Sequence, residues 1–177
     1  MIKLVFDMLS VLRLESSAEA TKKEVISISG FYKDLTISMT APAKSRGVIL
    51  NNAFKNHKKI EIETDIQLLK SILECFVSNA INYSSSGKEV LVNAKEENNT
   101  IIFSVKDNGI GIPKEEQKKI SERFYRASNA KLSKPDGTGL GLYIASMLAN
   151  KIGGKIYFES KDGKGSTFYL SIPKNVV

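Results

Sequence analysis

The chain has 177 residues, 42% hydrophobic and 25% charged, which suits one domain with a real core and a short appendage. Its net charge of +7 is scattered over positions such as Lys22, Lys23, Lys58, Lys59, Lys118 and Lys119, which argues against a massed nucleic-acid arm and suits equally the handling of a polyphosphate or nothing beyond solubility. The single cysteine, Cys75, excludes an internal disulfide framework, and no apolar run reaches the ~20 residues that cross a bilayer.

Ile2, Val5, Phe6, Leu9 and Leu12 recur at helical spacing over residues 1–15 and give one apolar stripe. Nothing caps this helix in front, and charges interrupt its apolar stretch, so it reads as the end of a longer helix and not as a signal peptide. Residues 16–23 form a polar joint and 24–29 alternate as a strand. Residues 30–47 predict a helix interrupted or ended near Pro42 and stopped at Gly47. Two strands, 48–54 and 59–65, follow about a turn near Asn56, His57 and Lys58.

The strongest helix spans 65–83, with Asp65 as N-cap and Leu69, Ile72, Leu73, Phe76, Val77, Ala80 and Ile81 on one broad buried face. Residues 89–97 and 100–107 alternate as strands joined at Asn98-Asn99, a hairpin by its turn chemistry. The connection 108–137 is long, polar and glycine-punctuated, with one helical piece around 114–126, the pattern of a lid or binding loop. A helix over 139–152 closes at Gly153-Gly154, and strands 155–160 and 166–172 end the chain. This order predicts an α+β fold: a two-layer sandwich with a mixed, mainly antiparallel sheet on one side, helices on the other and a long lid.

Three clusters carry chemistry. On the helix 65–83, Cys75, Asn79 and Asn82 share a stripe flanked by Tyr83. Amides there either cap neighbouring backbone groups or offer oxygen to a hard cation such as Mg²⁺. In "VKDNGIGIP" (105–113) a strand ends at Asp107 and two glycines turn the backbone sharply. This is either an Asp-Asn-Gly turn or a pocket whose carboxylate accepts a hydrogen bond from an exocyclic amine such as that of adenine. The Ile-Gly-Ile-Pro that follows does not lead directly into a paired strand. Last, "GTGLGL" (137–142) puts three alternate glycines at the mouth of a helix, either a plain loop or a place where bare N–H groups meet phosphate. Its spacing is neither that of a dinucleotide fold nor that of a P-loop.

The boxes "SNAINYS", "DNGIGIP", "ERFYR" and "GTGLGL", in that order over most of 65–172, resemble the ATP-binding catalytic domain of sensor histidine kinases. That family belongs with gyrase B, the mismatch-repair ATPase MutL and the large heat-shock chaperones. The resemblance implies 1–17 as the end of a second dimerisation helix and 18–177 as the catalytic ATP-binding domain. It implies that Asn79 ligates Mg²⁺ on the ATP phosphates, with Asn82 and Tyr83 lining the same pocket. Asp107 would hold the adenine amino group, between walls shaped by Gly109, Ile110 and Gly111. Phe124 would anchor the lid beside Tyr125, and Arg126 would reach the γ-phosphate. Gly137, Gly139 and Gly141, with Leu140 and Leu142, would give backbone room at the phosphates, and Thr138 would support the adenine side.

The same resemblance implies a protein histidine kinase of a two-component system, in the cytoplasm, with a parent that is membrane-anchored or free. Its cofactors would be ATP and Mg²⁺. Its partners would be a dimerisation domain carrying the phosphoacceptor histidine and a response regulator receiver domain; the parent would be a homodimer, this chain a monomer, and nucleic acid no partner. Two departures stand out. Cys75 replaces an Asn four residues before Asn79, and Glu74 lies about 100° round the helix from it, so cannot stand in. Asn82 replaces a frequent Lys. These leave a degenerate nucleotide- or partner-binding module as the alternative. A gyrase- or MutL-type ATPase lacks its carboxylate base, whose place Cys75 takes. The sole histidine, His57, reads as a solvated turn residue and not as the acceptor.

Overall fold

The computed structural model describes residues 2–16, 20–54 and 60–174. His57, with the turn expected around it, lies outside them.

Among the described residues five helices and seven strands are arranged in two layers. A five-stranded sheet runs in the order β2 (Ile49–Asn52), β4 (Glu89–Glu97), β5 (Thr100–Asp107), β7 (Gly165–Pro173), β6 (Lys155–Lys161). Only β2 and β4 are parallel; every other neighbour is antiparallel. On one face lie α2 (Ile28–Ser45), α3 (Ile66–Tyr83) and α5 (Gly141–Lys151). The α+β sandwich expected from element order is therefore the observed fold. Between β5 and α5 the chain forms the lid, with a 3-10 turn at Lys114–Lys119 and a short α4 (Ser128–Ser133).

The central helix begins where a cap is available. Asp65 Oδ1 accepts from the Gln67 and Leu68 N–H groups at 3.1 Å each, and Oδ2 accepts from Lys22 N–H at 2.9 Å. All seven residues of the expected apolar face are buried, each under 4% exposed. They meet the inward positions Val90, Val92, Ala94, Ile101, Phe103 and Val105, which alternate along β4 and β5 as a period of two requires. Fully burying each large apolar side chain of this kind contributes roughly 1.5–3 kcal/mol, so the α3–sheet interface is the chief source of rigidity behind the cleft.

Three local expectations need correction. The strand expected over 24–29 ends at Ser27, and α2 starts at Ile28, because Ser27 keeps extended backbone angles as N-cap and Ile28 is the first residue of the turn it opens. The helix runs through Pro42 to Ser45, since a proline so near the C-terminus removes a single intrahelical bond. Gly47 (φ 65°) then closes it, with Gly47 N–H on the Lys44 carbonyl and Val48 N–H on the Ala43 carbonyl. The strands on either side of residues 55–59 do not pair together: β2 joins β4, while β3 (Glu61–Thr64) pairs antiparallel with β1 (Glu24–Ser27) in a separate ribbon.

The first helix, α1 (Ile2–Ser16), lies against α5 through Val11 and Leu14. Four residues of its expected stripe face away, with Val5, Phe6, Leu9 and Leu12 46–66% exposed; the Ile2 side chain lies outside the described ones.

Candidate functional site

One cleft, with an open volume of about 1000 Å³, lies between the C-terminal half of α3, the start of α5 and the lid. Thirteen of the sixteen expected site residues line it; Gly109, Phe124 and Leu140 do not. The three boxes from α3, the β5 end and the glycine loop thus meet in space.

Asp107 ends β5 with an inward-facing side chain that is 6% exposed. Its Oδ1 accepts from Gly109 N–H at 2.8 Å and from Ser166 N–H at 3.2 Å. Burial holds its carboxyl above the ordinary carboxylate range, against the pull of those two backbone donors. The turn after it is tied to two other elements: Ile110 N–H donates to the Tyr83 carbonyl at 3.1 Å, and Gly163 N–H to the Ile110 carbonyl at 2.7 Å. A plain hairpin is therefore excluded here.

The glycines serve close approaches within the protein. A Cβ on Gly109 would lie 2.8 Å from the Tyr83 carbonyl carbon, and one on Gly111 (φ 64°) 2.7 Å from that of Lys161. A Cβ on Gly137 would meet the Arg126 guanidinium, one on Gly139 (φ 72°) the backbone of Phe124, and one on Gly141 the Cys75 sulfur at 3.3 Å. Room beside the glycine loop is thus filled from the lid and from α3.

Arg126 spends its guanidinium on the lid. It donates to the carbonyls of Pro135 and Ala130 at 2.9 Å each and to that of Lys134. Thr138 donates its hydroxyl to Asp7 Oδ2 of α1 at 2.7 Å. The Phe124 ring, expected to anchor the lid, is 55% exposed; its backbone (φ 60°) makes the contact, on Gly139. Leu140 is 1% exposed and belongs to the core behind the cleft, as its place at the mouth of α5 requires.

On α3, Asn79 directs its Nδ2 to the Cys75 sulfur at 3.8 Å, which turns its Oδ1 away from that sulfur. Asn82 donates to Ser78 Oγ at 3.2 Å and accepts from Arg46 at 3.2 Å and Lys134 at 2.9 Å. Among the described residues no group of three or more His, Cys, Asp or Glu could hold a metal ion. Lining residues that the sequence did not single out include Ser78, Ile112, Ile120, Asn129, Lys134, Ser166 and Phe168. Ser166 and Phe168 arrive through strand pairing with β5, which no local pattern reveals. Asn129 and Lys134 are polar residues of a lid whose fold has no period. Glu116, outside the cleft, accepts from Tyr125 OH and from both the N–H and the hydroxyl of Ser128, which fixes the start of α4.

Residues 64–176 match the family model described as histidine kinase-, DNA gyrase B- and HSP90-like ATPase. The sensor histidine kinase WalK of Bacillus subtilis is 36% identical over 98% of this chain, which spans 28% of that protein. The full-length ShkA structure in complex with AMPPNP superposes with a TM-score of 0.83, at 28% identity, over 97% of this chain and 35% of that one. Histidine kinase ThkA, solved with the response regulator TrrA, gives 0.80 at 20% identity over 98% of this chain and 48% of that one, a likeness of fold. The chain thus spans well under a third of the length of the curated relatives it matches. With its boxes gathered on one cleft and its relatives among sensor histidine kinases, the chain belongs to the family of histidine kinase-, DNA gyrase B- and HSP90-like ATPases.

Proposed function

We propose that the cleft binds ATP and that the chain is the catalytic domain of a two-component sensor histidine kinase. The observation that carries this is the buried Asp107, whose two backbone donors both fall on Oδ1. Its Oδ2 is left for the exocyclic amine of adenine, and the carbonyl of guanine in that place would be repelled. ShkA, 28% identical, is a solved AMPPNP complex, which supports a nucleotide here.

The residues fit a Mg²⁺ that arrives on the nucleotide. Asn79 offers one hard amide oxygen, Cys75 offers a soft sulfur unsuited to that ion, and the remaining ligands would be phosphate oxygens and water. Bound there, Mg²⁺ would neutralise charge on the phosphates. The protein's own part is positioning: Asp107 fixes the base, the lid excludes water, and basic side chains near Asn82 meet the phosphates.

In the reaction, an imidazole nitrogen of a dimerisation domain attacks the γ-phosphorus. A P–N bond forms, the bond to the β–γ bridging oxygen breaks, ADP leaves, and the imidazole proton passes to solvent. The phosphoryl group then moves to an aspartate of a response regulator, the class of partner that ThkA was solved with. The exposed stripe on α1 supports its reading as a dimerisation helix, covered by a second copy in the parent homodimer. Among the described residues no helix is long and apolar enough to cross a membrane. We place this domain on the cytoplasmic side, where ATP is.

A second reading, a nucleotide-binding module without transfer, is favoured by one observation: Asn79 gives its amide nitrogen to the sulfur of Cys75. Calorimetric titration with AMPPNP, with and without Mg²⁺, separates the two. Binding strengthened by Mg²⁺, followed by labelled phosphohistidine when the matching dimerisation domain is added, is the expected result. Binding indifferent to Mg²⁺ and no label would select the module, and no binding at all would overturn both.

A further inference from the structure

Arg46 lies in none of the sequence boxes and does not line the cleft, yet its guanidinium reaches Asn82 Oδ1 at 3.2 Å. Lys134 Nζ reaches the same atom at 2.9 Å from the lid. Two cations, one from the end of α2 and one from the lid, therefore converge on one neutral amide oxygen. An anion at the same place would offer both cations charge-assisted contacts, which are stronger than those to a neutral amide. We propose that Arg46 and Lys134 form a clamp for the nucleotide's phosphate chain, closing over it from α2 and from the lid.

This rests on the nucleotide reading of the cleft and adds to it the source of positive charge. Three features favour it. Each cation sits at a helix C-terminal cap, Arg46 on α2 and Lys134 on α4, so the local carbonyls favour its charge and hold its backbone in place. The Arg46 N–H is fixed on the Ala43 carbonyl at 3.1 Å, and the Lys134 carbonyl is held by Arg126. Arg126 itself is committed to three lid carbonyls, so its role in this arrangement is to present Lys134. Meanwhile Asn82 Nδ2 rests on Ser78 Oγ at 3.2 Å, which orients the oxygen toward both cations. Asn82 shares its cleft with Asp107, so the anion that fits is one attached to a base, and a polyphosphate has the length to meet both cations.

The test compares a ligand with phosphates to one without. AMPPNP is followed by calorimetry and adenosine by NMR chemical-shift titration, which reads weak affinities. Arg46→Gln and Lys134→Gln should each weaken AMPPNP binding by about tenfold, a low value for a charge-assisted bond because Arg46 is exposed. Adenosine affinity should stay within about twofold, since it lacks the group these cations would meet. Arg46→Lys should keep most of the AMPPNP affinity. In an Asn82→Lys background, which supplies a cation at the convergence point, the effect of Arg46→Gln should shrink. Equal weakening of both ligands, or unchanged AMPPNP binding in either Gln variant, would overturn the clamp while leaving the nucleotide reading intact. A wild-type chain that binds neither ligand would overturn the nucleotide reading and the clamp with it.

Discussion

Asp107 shows how much one residue's surroundings decide. Its carboxyl is pushed above 3.8 chiefly by burial, and the Gly109 and Ser166 N–H groups offset only part of that push. A raised carboxyl pKa means the folded state disfavours the charged form. Its contribution to stability is therefore present below the unfolded value and is lost as pH rises through the folded one. A ligand amine prefers the carboxylate, so nucleotide binding works in the other direction. Affinity for AMPPNP should fall on acidification, at a pH above the 3.8 of a free Asp side chain. Asp107→Asn should weaken binding at neutral pH by ~1–3 kcal/mol, the range for losing a buried charged hydrogen bond. It should also abolish the acid fall-off, and calorimetry across a pH series reads both; an acid limb that survives the substitution would place the adenine elsewhere. The glycines make a different point at this scale. That Gly137, Gly139 and Gly141 needed freedom was legible in the sequence, but not what they made room for, because Arg126, Phe124 and Cys75 reach them only through the fold.

At the scale of elements, legibility followed the length of the pattern. The α3 face could be read residue by residue because eighteen helical positions repeat one period and Asp65 marks the start. The β4–β5 hairpin was equally plain, since Asn98 and Asn99 adopt positive φ values of 47° and 57°, which the asparagine pair signals. The separation of β2 from β3 was not legible: four-residue strands carry no mark of their partner, and the parallel partner of β2 begins 40 residues later. The lid was legible as a lid, yet α4, six residues long, has no room for a helical period. What fixes it is Glu116, three of whose bonds go to Ser128 and Tyr125. The Ser128 donors above all hold the Glu116 carboxyl below its ordinary value of 4.5. The linkage sign is that of a depressed acid: support for the lid is present above that ordinary value and is lost as pH falls through the lowered one. Glu116→Gln keeps the size of the side chain and removes the charge. Amide hydrogen exchange should then speed up in the lid, around Ser128 and α4, with α3 unchanged; uniform protection in both places would deny Glu116 this role.

For the whole molecule, the unexpected finding is how α1 is joined to the cleft. It reaches the lid and glycine loop through side chains: Asp7 accepts from Thr138, Glu15 pairs with Arg123, and the Arg123 guanidinium stands 4.7 Å from the centre of the Tyr143 ring. Among the described side chains of α1 only Val11 is buried as a core residue, so these polar contacts carry much of the docking. Thr138 lines the cleft, which puts the Asp7 carboxylate one hydrogen bond from the space a nucleotide would enter. Two negative groups then compete for that neighbourhood, and linkage makes their effects reciprocal. Nucleotide should loosen α1, and releasing α1 should favour nucleotide. Asp7→Asn removes one negative charge and keeps the shape of the side chain. It should tighten AMPPNP binding by ~0.3–1 kcal/mol, the range of partly exposed charge pairs, with the gain shrinking as salt is added. In the unsubstituted chain, AMPPNP should speed amide exchange along α1 while slowing it in the lid. Were exchange in α1 indifferent to nucleotide, the helix would be a passive neighbour; were it slowed, α1 would help hold the nucleotide and the sign of the linkage would be reversed.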